Sequence, residues 1–144
     1  MHGGGKDLNI EYKKEDKLLI FQITEEIDHH TTEEIRRKAD YEIQRHMPKK
    51  AIFDFSGVTF MDSAGIGLII GRYKLLSLIG ANMEIINVAP TVERILEISG
   101  IRKLVPSSAT ESNAYFRRSL RAEKSIASAR WHRFYMIFLV YDFK

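Results

Sequence analysis

One stretch constrains the fold more than any other: "FDFSGVTFMDSAGIGLIIGRY", residues 53–73, in which a strand-like run leads into a helix-like run. The strand is predicted from three β-prone residues, Ile52, Phe53 and Phe55. A turn at Ser56-Gly57 follows, and a helix is predicted from about Ser63 to Ile79, with Gly80 as the residue that ends it. A strand that passes directly into a helix is typical of α/β proteins, in which helices pack against a sheet.

The rest of the first 106 residues supports this class. A helix beginning at Thr31 or Thr32 has apolar residues at helical spacing, and Pro90 suits the first position of a later helix. Further strands are predicted at Leu8–Tyr12, Leu18–Thr24, "MEIINV" and "IRKLVP". The predicted order is β-β-α-β-α-β-α-β, an α/β fold with a mixed β-sheet and about four helices, counting one in the C-terminal segment.

Composition narrows the classes of function. The chain has 144 residues, 44% of them hydrophobic, and no apolar run approaches the ~20 residues of a membrane-spanning helix. It has no cysteine, and its first residues lack the apolar core of a secretory signal, so we expect a cytoplasmic protein with no membrane partner. Residues 107–144 carry a net charge of +4, which leaves −1 on the rest of a chain whose total is +3. No direct nucleic-acid partner is therefore expected.

The chain divides by sequence character into a core at residues 1–106 and a C-terminal segment at 107–144. That segment begins with a stretch compatible with a helix and ends in "WHRFYMIFLVYDFK", which is dense in aromatic and aliphatic residues. Three interpretations remain open for it. It packs on the core as a helix and strand, it mediates self-association or contact with a membrane edge, or it is a non-native extension. A homodimer formed through this tail is one consequence of the second interpretation.

Ser63 stands where the central strand passes into its helix, and it has two interpretations. Asp62 or Ser63 caps the helix, or the serine carries chemistry. Gly67 and Gly71 lie four residues apart, and we expect them to allow the helix to approach the sheet closely.

Several kinds of site are disfavoured by spacing. "GIGLIIG" is not a dinucleotide-binding or phosphate-loop motif, and Ser63 is not in a G-x-S-x-G elbow and has no assigned histidine base. His29 and His30 are adjacent and so ligate one metal poorly. No catalytic residue, metal or cofactor is therefore expected, and an enzyme that uses Ser63 as nucleophile is disfavoured.

Two segments carry a family resemblance: "EEIDHHTTEEIRRK" and "FDFSGVTFMDSAGIGLIIGRYKLLSLIGANMEIINVAPTVERILEISGIRKLV". Together they resemble the sporulation-type anti-sigma factor antagonists of the bacterial STAS domain family, over about residues 7 to 106. The resemblance implies a non-enzymatic α/β domain that binds an anti-sigma factor, itself a serine kinase, and so releases a sigma factor. It also implies that the kinase phosphorylates the serine of D-S-x-G, which is Ser63 here, and that a serine phosphatase reverses the modification.

The resemblance further implies a partner-facing surface, in which Asp28 and Ser63 are the two positions that rest directly on the motif. We expect it to contain Asp28, Asp62, Ser63, Ile66, Ala89, Pro90 and Thr91. Relatives often have a second serine after the first, whereas Ala64 stands here and leaves one acceptor. The alternative function is that of a STAS scaffold module in a larger signalling assembly, in which Ser63 tunes assembly rather than sigma release.

Overall fold

The computed structural model describes residues 8–106, which form a four-stranded sheet and four helices. The elements are β1 (Leu8–Lys13), β2 (Leu18–Ile23), α1 (Thr32–His46), β3 (Lys50–Asp54), α2 (Ser63–Leu78), β4 (Asn82–Ile86), α3 (Pro90–Ile98) and α4 (Ile101–Leu104). The strand order is β1-β2-β3-β4, with β1 antiparallel to β2 and the other pairs parallel. The mixed α/β fold predicted from the sequence is confirmed.

The core follows from the two periodicities of the sequence. Alternate residues of β2 are buried, as expected for a strand with one face on the core, and Phe21 stacks on Phe53 of β3 with ring centroids 4.8 Å apart. In α1 the buried residues recur every fourth position: Ile35, Ala39 and Ile43. No helix within residues 8–106 is long and apolar enough to cross a membrane.

The strand predicted at "IRKLVP" is wrong, because residues 101–104 form helix α4. Gly100 has a φ of 81°, which ends one helix and lets the next begin at once. Buried Ile101, Leu104 and Val105 are spaced i, i+3 and i+4, and this spacing fits one helical face. The predictions for residues 107–144, a helix and an aromatic tail that forms dimers, lie outside the described residues.

A buried ion pair joins α1 to α2. Arg72 Nε lies 2.6 Å from Asp40 Oδ1, and Arg72 is 6% exposed. The two atoms are close but not aligned as a hydrogen bond, and within the described chain Arg72 Nη1 has no hydrogen-bond partner. Burial raises the pKa of Asp40, although Arg72 opposes the shift, and burial lowers the pKa of Arg72. Desolvation therefore outweighs attraction in this pair.

We expect Arg72→Met to lower the free energy of unfolding by about 2 kcal/mol, because it leaves the Asp40 charge unpaired in a partly buried site. The double variant Arg72→Met/Asp40→Leu should regain most of that loss, since neither charge then has to be desolvated. Urea denaturation at neutral pH measures both. A double variant that is less stable than Arg72→Met would show that the pair is a net source of stability.

The raised pKa of Asp40 also determines the direction in which its contribution to the free energy of unfolding changes with pH. The folded state holds the Asp40 proton more tightly than the unfolded chain, whose ordinary value is 3.8. Ionisation of Asp40 therefore destabilises the fold. This loss of stability is absent at a pH below the pKa that Asp40 has in the unfolded chain. It is complete at a pH above the pKa that Asp40 has in the folded chain.

Candidate functional site

Three loops meet at one edge of the sheet. Strands β2, β3 and β4 are parallel, so their carboxyl ends lie side by side, and residues 24–31, 55–62 and 87–89 follow them. Asp54 Oδ1 accepts hydrogen bonds from the Ser56 amide at 2.9 Å and from Asn87 Nδ2 at 3.1 Å. It thereby links the second and third loops. The carboxyl edge of a parallel sheet is where α/β proteins commonly bind ligands and partners.

Backbone hydrogen bonds join the first loop to the second. Ile27 and Met61 form an isolated parallel β-bridge. The Ile27 amide donates to the Phe60 carbonyl at 3.1 Å, and the Asp62 amide donates to the Ile27 carbonyl at 3.1 Å. The loop that carries Asp28 is therefore fixed to the segment that leads into α2 at Ser63, although the two are far apart in sequence.

Two glycines permit this junction. A Cβ on Gly57 would lie 2.6 Å from Thr24 Cα, and a Cβ on Gly65 would lie 2.2 Å from Met61 Cγ. The prediction that Gly67 and Gly71 allow close packing is wrong, since a Cβ at either would have nothing within 4 Å. Helical spacing identified glycines on a common face, but the close contacts occur where α2 begins.

Asp62 is the residue that caps α2. Its Oδ1 atom accepts hydrogen bonds from the amides of Ala64 at 2.8 Å and Gly65 at 3.4 Å. Ser63 is therefore not needed as a cap. It is the first residue of the helix, it is exposed, and its hydroxyl has no hydrogen-bond partner within residues 8–106. A serine hydroxyl in this state is accessible to a modifying enzyme.

Asp28 is held by the loop that enters α1. Its Oδ1 atom accepts hydrogen bonds from the amides of His30 at 2.8 Å and Thr31 at 3.1 Å, and these bonds lower the pKa of the Asp28 carboxyl. The Thr31 hydroxyl donates to the Glu26 carbonyl at 2.8 Å and accepts from the Asp28 amide at 3.1 Å. Asp28 is thus an oriented carboxylate in the loop that the Ile27–Met61 bridge joins to the segment before α2.

The other predicted site residues are placed less directly. Ile66 is half-buried on α2, one turn after Ser63. Ala89 is half-buried, Pro90 and Thr91 are exposed, and they stand where β4 leads into α3. The topology puts Ala89–Thr91 at the same edge of the sheet, but within the described residues no hydrogen bond links them to Asp62 or Ser63.

Sequence reasoning missed two residues at this surface. Phe60 is 50% exposed, although it lies in a run with the composition of a strand. His29, considered from the sequence only as a poor metal ligand, donates its amide to Asp62 Oδ2 at 3.3 Å, and its Nδ1 lies 3.7 Å from the same oxygen. Its position beside Asp28 in the sequence was the one available signal.

Two open depressions flank the junction. One of about 360 Å³ lies between the first two loops, with three acidic side chains in its wall, Glu25, Glu26 and Asp28. The other, of about 140 Å³, lies between the first turns of α1 and α2. Within residues 8–106 no three His, Asp or Glu side chains are grouped so as to hold a metal ion. Open depressions of this kind suit a protein partner better than a small molecule, which usually binds in a more enclosed pocket.

Comparison with protein families and curated proteins gives a consistent result. The model of the STAS domain matches residues 9–114. An anti-sigma F factor antagonist from Paenibacillus polymyxa is 38% identical over 108 residues, which cover 75% of this chain and 92% of that protein. An anti-sigma-B factor antagonist from Staphylococcus aureus is 27% identical over 99 residues, covering 69% of this chain and 91% of the relative.

Solved structures agree with these relatives. The anti-sigma factor antagonist SpoIIAA in its unphosphorylated form superposes with a TM-score of 0.64 at 27% identity, covering 78% of this chain and 96% of SpoIIAA. The phosphorylated form of SpoIIAA from Bacillus gives a TM-score of 0.58 at 29% identity, with coverage of 76% and 97%. The similarity therefore extends over nearly the whole of each solved chain.

Proposed function

The chain belongs to the STAS domain family, and we propose that it is an anti-sigma factor antagonist, a regulatory binding protein rather than an enzyme. Its partner is an anti-sigma factor that is also a serine kinase, and binding releases a sigma factor in the cytoplasm. Phosphorylation of Ser63 switches this binding off, and a serine phosphatase restores it. The relatives named for this activity and the phosphorylated form of SpoIIAA support the proposal.

The observation that carries the proposal is the state of Ser63. Its hydroxyl is exposed at the first turn of α2, while Asp62 supplies the cap that holds that turn. A phosphate at this place adds about −1.5 to −2 charges, and the Ser63 hydroxyl that it modifies makes no hydrogen bond within residues 8–106. Modification can therefore change the surface while the domain stays folded.

The partner surface follows from the same junction. The Ile27–Met61 bridge joins the loop of Asp28 to the segment that leads into Ser63, and Ile66 lies one turn further along α2. Exposed Phe60 adds an apolar contact next to these polar groups. We place the contact with the anti-sigma factor on this surface, with Asp62 and the Ala89–Thr91 turn at its margin.

The test is incubation of the chain with the host's anti-sigma factor and ATP, followed by intact-protein mass spectrometry. Wild type should gain one phosphate, and Ser63→Ala should gain none. Ser56→Ala is the matched control, because Ser56 is also exposed and lies in the loop before α2, and it should be modified like wild type. A phosphate that persists in Ser63→Ala would contradict the assignment of this residue.

A further inference from the structure

The Asp62 carboxylate is bonded to two different parts of the chain. Its Oδ1 atom accepts hydrogen bonds from the amides of Ala64 and Gly65, in the first turn of α2. Its Oδ2 atom accepts the hydrogen bond from the His29 amide at 3.3 Å, in the loop that carries Asp28. One side chain therefore connects the helix that begins at Ser63 to the loop that enters α1.

The loop depends on this connection at one position. The Asp28 carboxylate accepts hydrogen bonds from the amides of His30 and Thr31. The amide of His29, which lies between them and Asp28 in the sequence, donates to Asp62 instead. His29 is exposed. Loss of the bond to Asp62 would leave the His29 amide to form a hydrogen bond with water. It would also remove the side-chain link between this loop and α2.

A phosphate on Ser63 would compete with Asp62 for the same donors. It would stand on the adjacent residue, at the end of the helix where free amides favour an anion. It would also carry more charge and more acceptor oxygens than a carboxylate. The phosphate and the Asp62 carboxylate repel each other because both are negatively charged. The phosphate can also accept the hydrogen bonds from the amides of the first turn in place of Asp62. Displacement of the Oδ1 atom moves the whole rigid carboxylate, including the Oδ2 atom that holds His29.

We propose that Asp62 is a positioning residue that relays the state of Ser63: a negative group on Ser63 displaces the Asp62 carboxylate from α2 and releases the His29 amide. The loop that orients Asp28 then loses its side-chain link to α2, while the backbone bonds between Ile27 and residues 60–62 remain. This inference rests on the proposed function, since phosphorylation of Ser63 is the event that is relayed. The coupling itself is a property of the folded chain, and its test needs no kinase.

The test is ¹H–¹⁵N NMR of the full chain across the acidic pH range. In wild type the amide protons of His29 and Ala64 should shift together as the pH is lowered, because both are bonded to one carboxylate, that of Asp62. The amides of His30 and Thr31 should follow Asp28 instead, which separates the two carboxylates within one experiment. In Ser63→Glu the amide proton of His29 should no longer shift together with that of Ala64. In Ser56→Glu, which adds the same charge earlier in the loop, the two should still shift together.

Asp62→Ala supplies the reference spectrum for a released His29 amide. If that variant does not fold, Asp62→Asn, which retains a single acceptor oxygen, serves in its place. Ser63→Glu should move the His29 amide toward this reference position. A His29 amide that still shifts together with Ala64 in Ser63→Glu would overturn the relay.

The phosphorylated chain separates this inference from the proposed function. If the kinase modifies Ser63 and His29 remains coupled to Ala64, the relay is wrong and the proposed function stands. If the kinase does not modify the chain and Ser63→Glu still uncouples His29, the relay stands and the proposed function fails.

Discussion

Replacing Ser63 with aspartate should weaken binding of the chain to the host's anti-sigma factor by about 100-fold, as measured by isothermal titration calorimetry. The new carboxylate stands next to Asp62, whose side chain is hydrogen-bonded to the loop that carries the Asp28 carboxylate. A charge without a partner at a protein interface costs several kcal/mol, and each 1.4 kcal/mol is about tenfold in affinity. A loss of this size therefore needs only about 3 kcal/mol.

Two variants control for other causes of weaker binding. Ser63→Ala removes the hydroxyl without adding charge, and it should bind within about threefold of wild type, because the hydroxyl has no hydrogen bond within residues 8–106. Asn82→Asp adds one negative charge with almost no change of shape, at an exposed residue on the opposite edge of the sheet. It should also bind like wild type.

The pattern of results identifies the cause. If Asn82→Asp weakens binding as much as Ser63→Asp does, net charge rather than position explains the effect. If Ser63→Asp binds as tightly as wild type while remaining folded, a negative charge at Ser63 is not what switches the complex off. Raising the ionic strength should narrow the difference between Ser63→Asp and wild type if repulsion is its source, because salt screens exposed charges.

Periodicity in the sequence was enough to predict most of the fold. The buried stripe of α1 at Ile35, Ala39 and Ile43 and the alternation in β2 are each visible in the sequence and present in the structure. Residues 101–105 were the exception. A run of five residues with apolar positions at its first, fourth and fifth places fits a short strand as well as one helical turn. Only the positive φ of Gly100 and the burial of that face decide between them.

Of the candidate site, only the residues that belong to the sequence motif could be predicted. Asp28 and Ser63 were assigned through resemblance, and the choice of Asp62 over Ser63 as cap required coordinates. No pattern in the sequence indicates that Ile27 pairs with Met61, because a contact between two loops depends on the path of three strands. For the same reason, the exposure of Phe60 could not be predicted, since its neighbours Val58 and Met61 are buried.

Gly57 provides the sharpest test of how the two loops are held together. A Cβ at this position would lie 2.6 Å from Thr24 Cα, 2.9 Å from the Ile23 carbonyl oxygen and 3.0 Å from Thr24 C. All three atoms belong to the backbone where β2 ends, so no side chain can rotate away to make room. We expect Gly57→Ala to lower the free energy of unfolding by about 2–3 kcal/mol, as overpacking does in a close-packed interior.

Gly67→Ala is the matched control, measured in the same urea denaturation series. Gly67 is inside α2, and a Cβ there would have nothing within 4 Å. Alanine should therefore stabilise the domain by up to about 1 kcal/mol through its better helix propensity. Opposite signs for the two glycine substitutions would show that the contact at Gly57, and not the loss of a flexible residue, is responsible. A stabilised Gly57→Ala would contradict the close approach.

The same substitution links stability to function. To accept the methyl group, residues 55–62 must move away from residues 23–24, and these two segments lead to Ser63 and Asp28 respectively. Gly57→Ala should therefore bind the anti-sigma factor more weakly than wild type even at temperatures where it is fully folded. Gly67→Ala, whose helix keeps its first turn, should not. Equal binding by the two variants would mean that the spacing of the loops is not what the partner recognises.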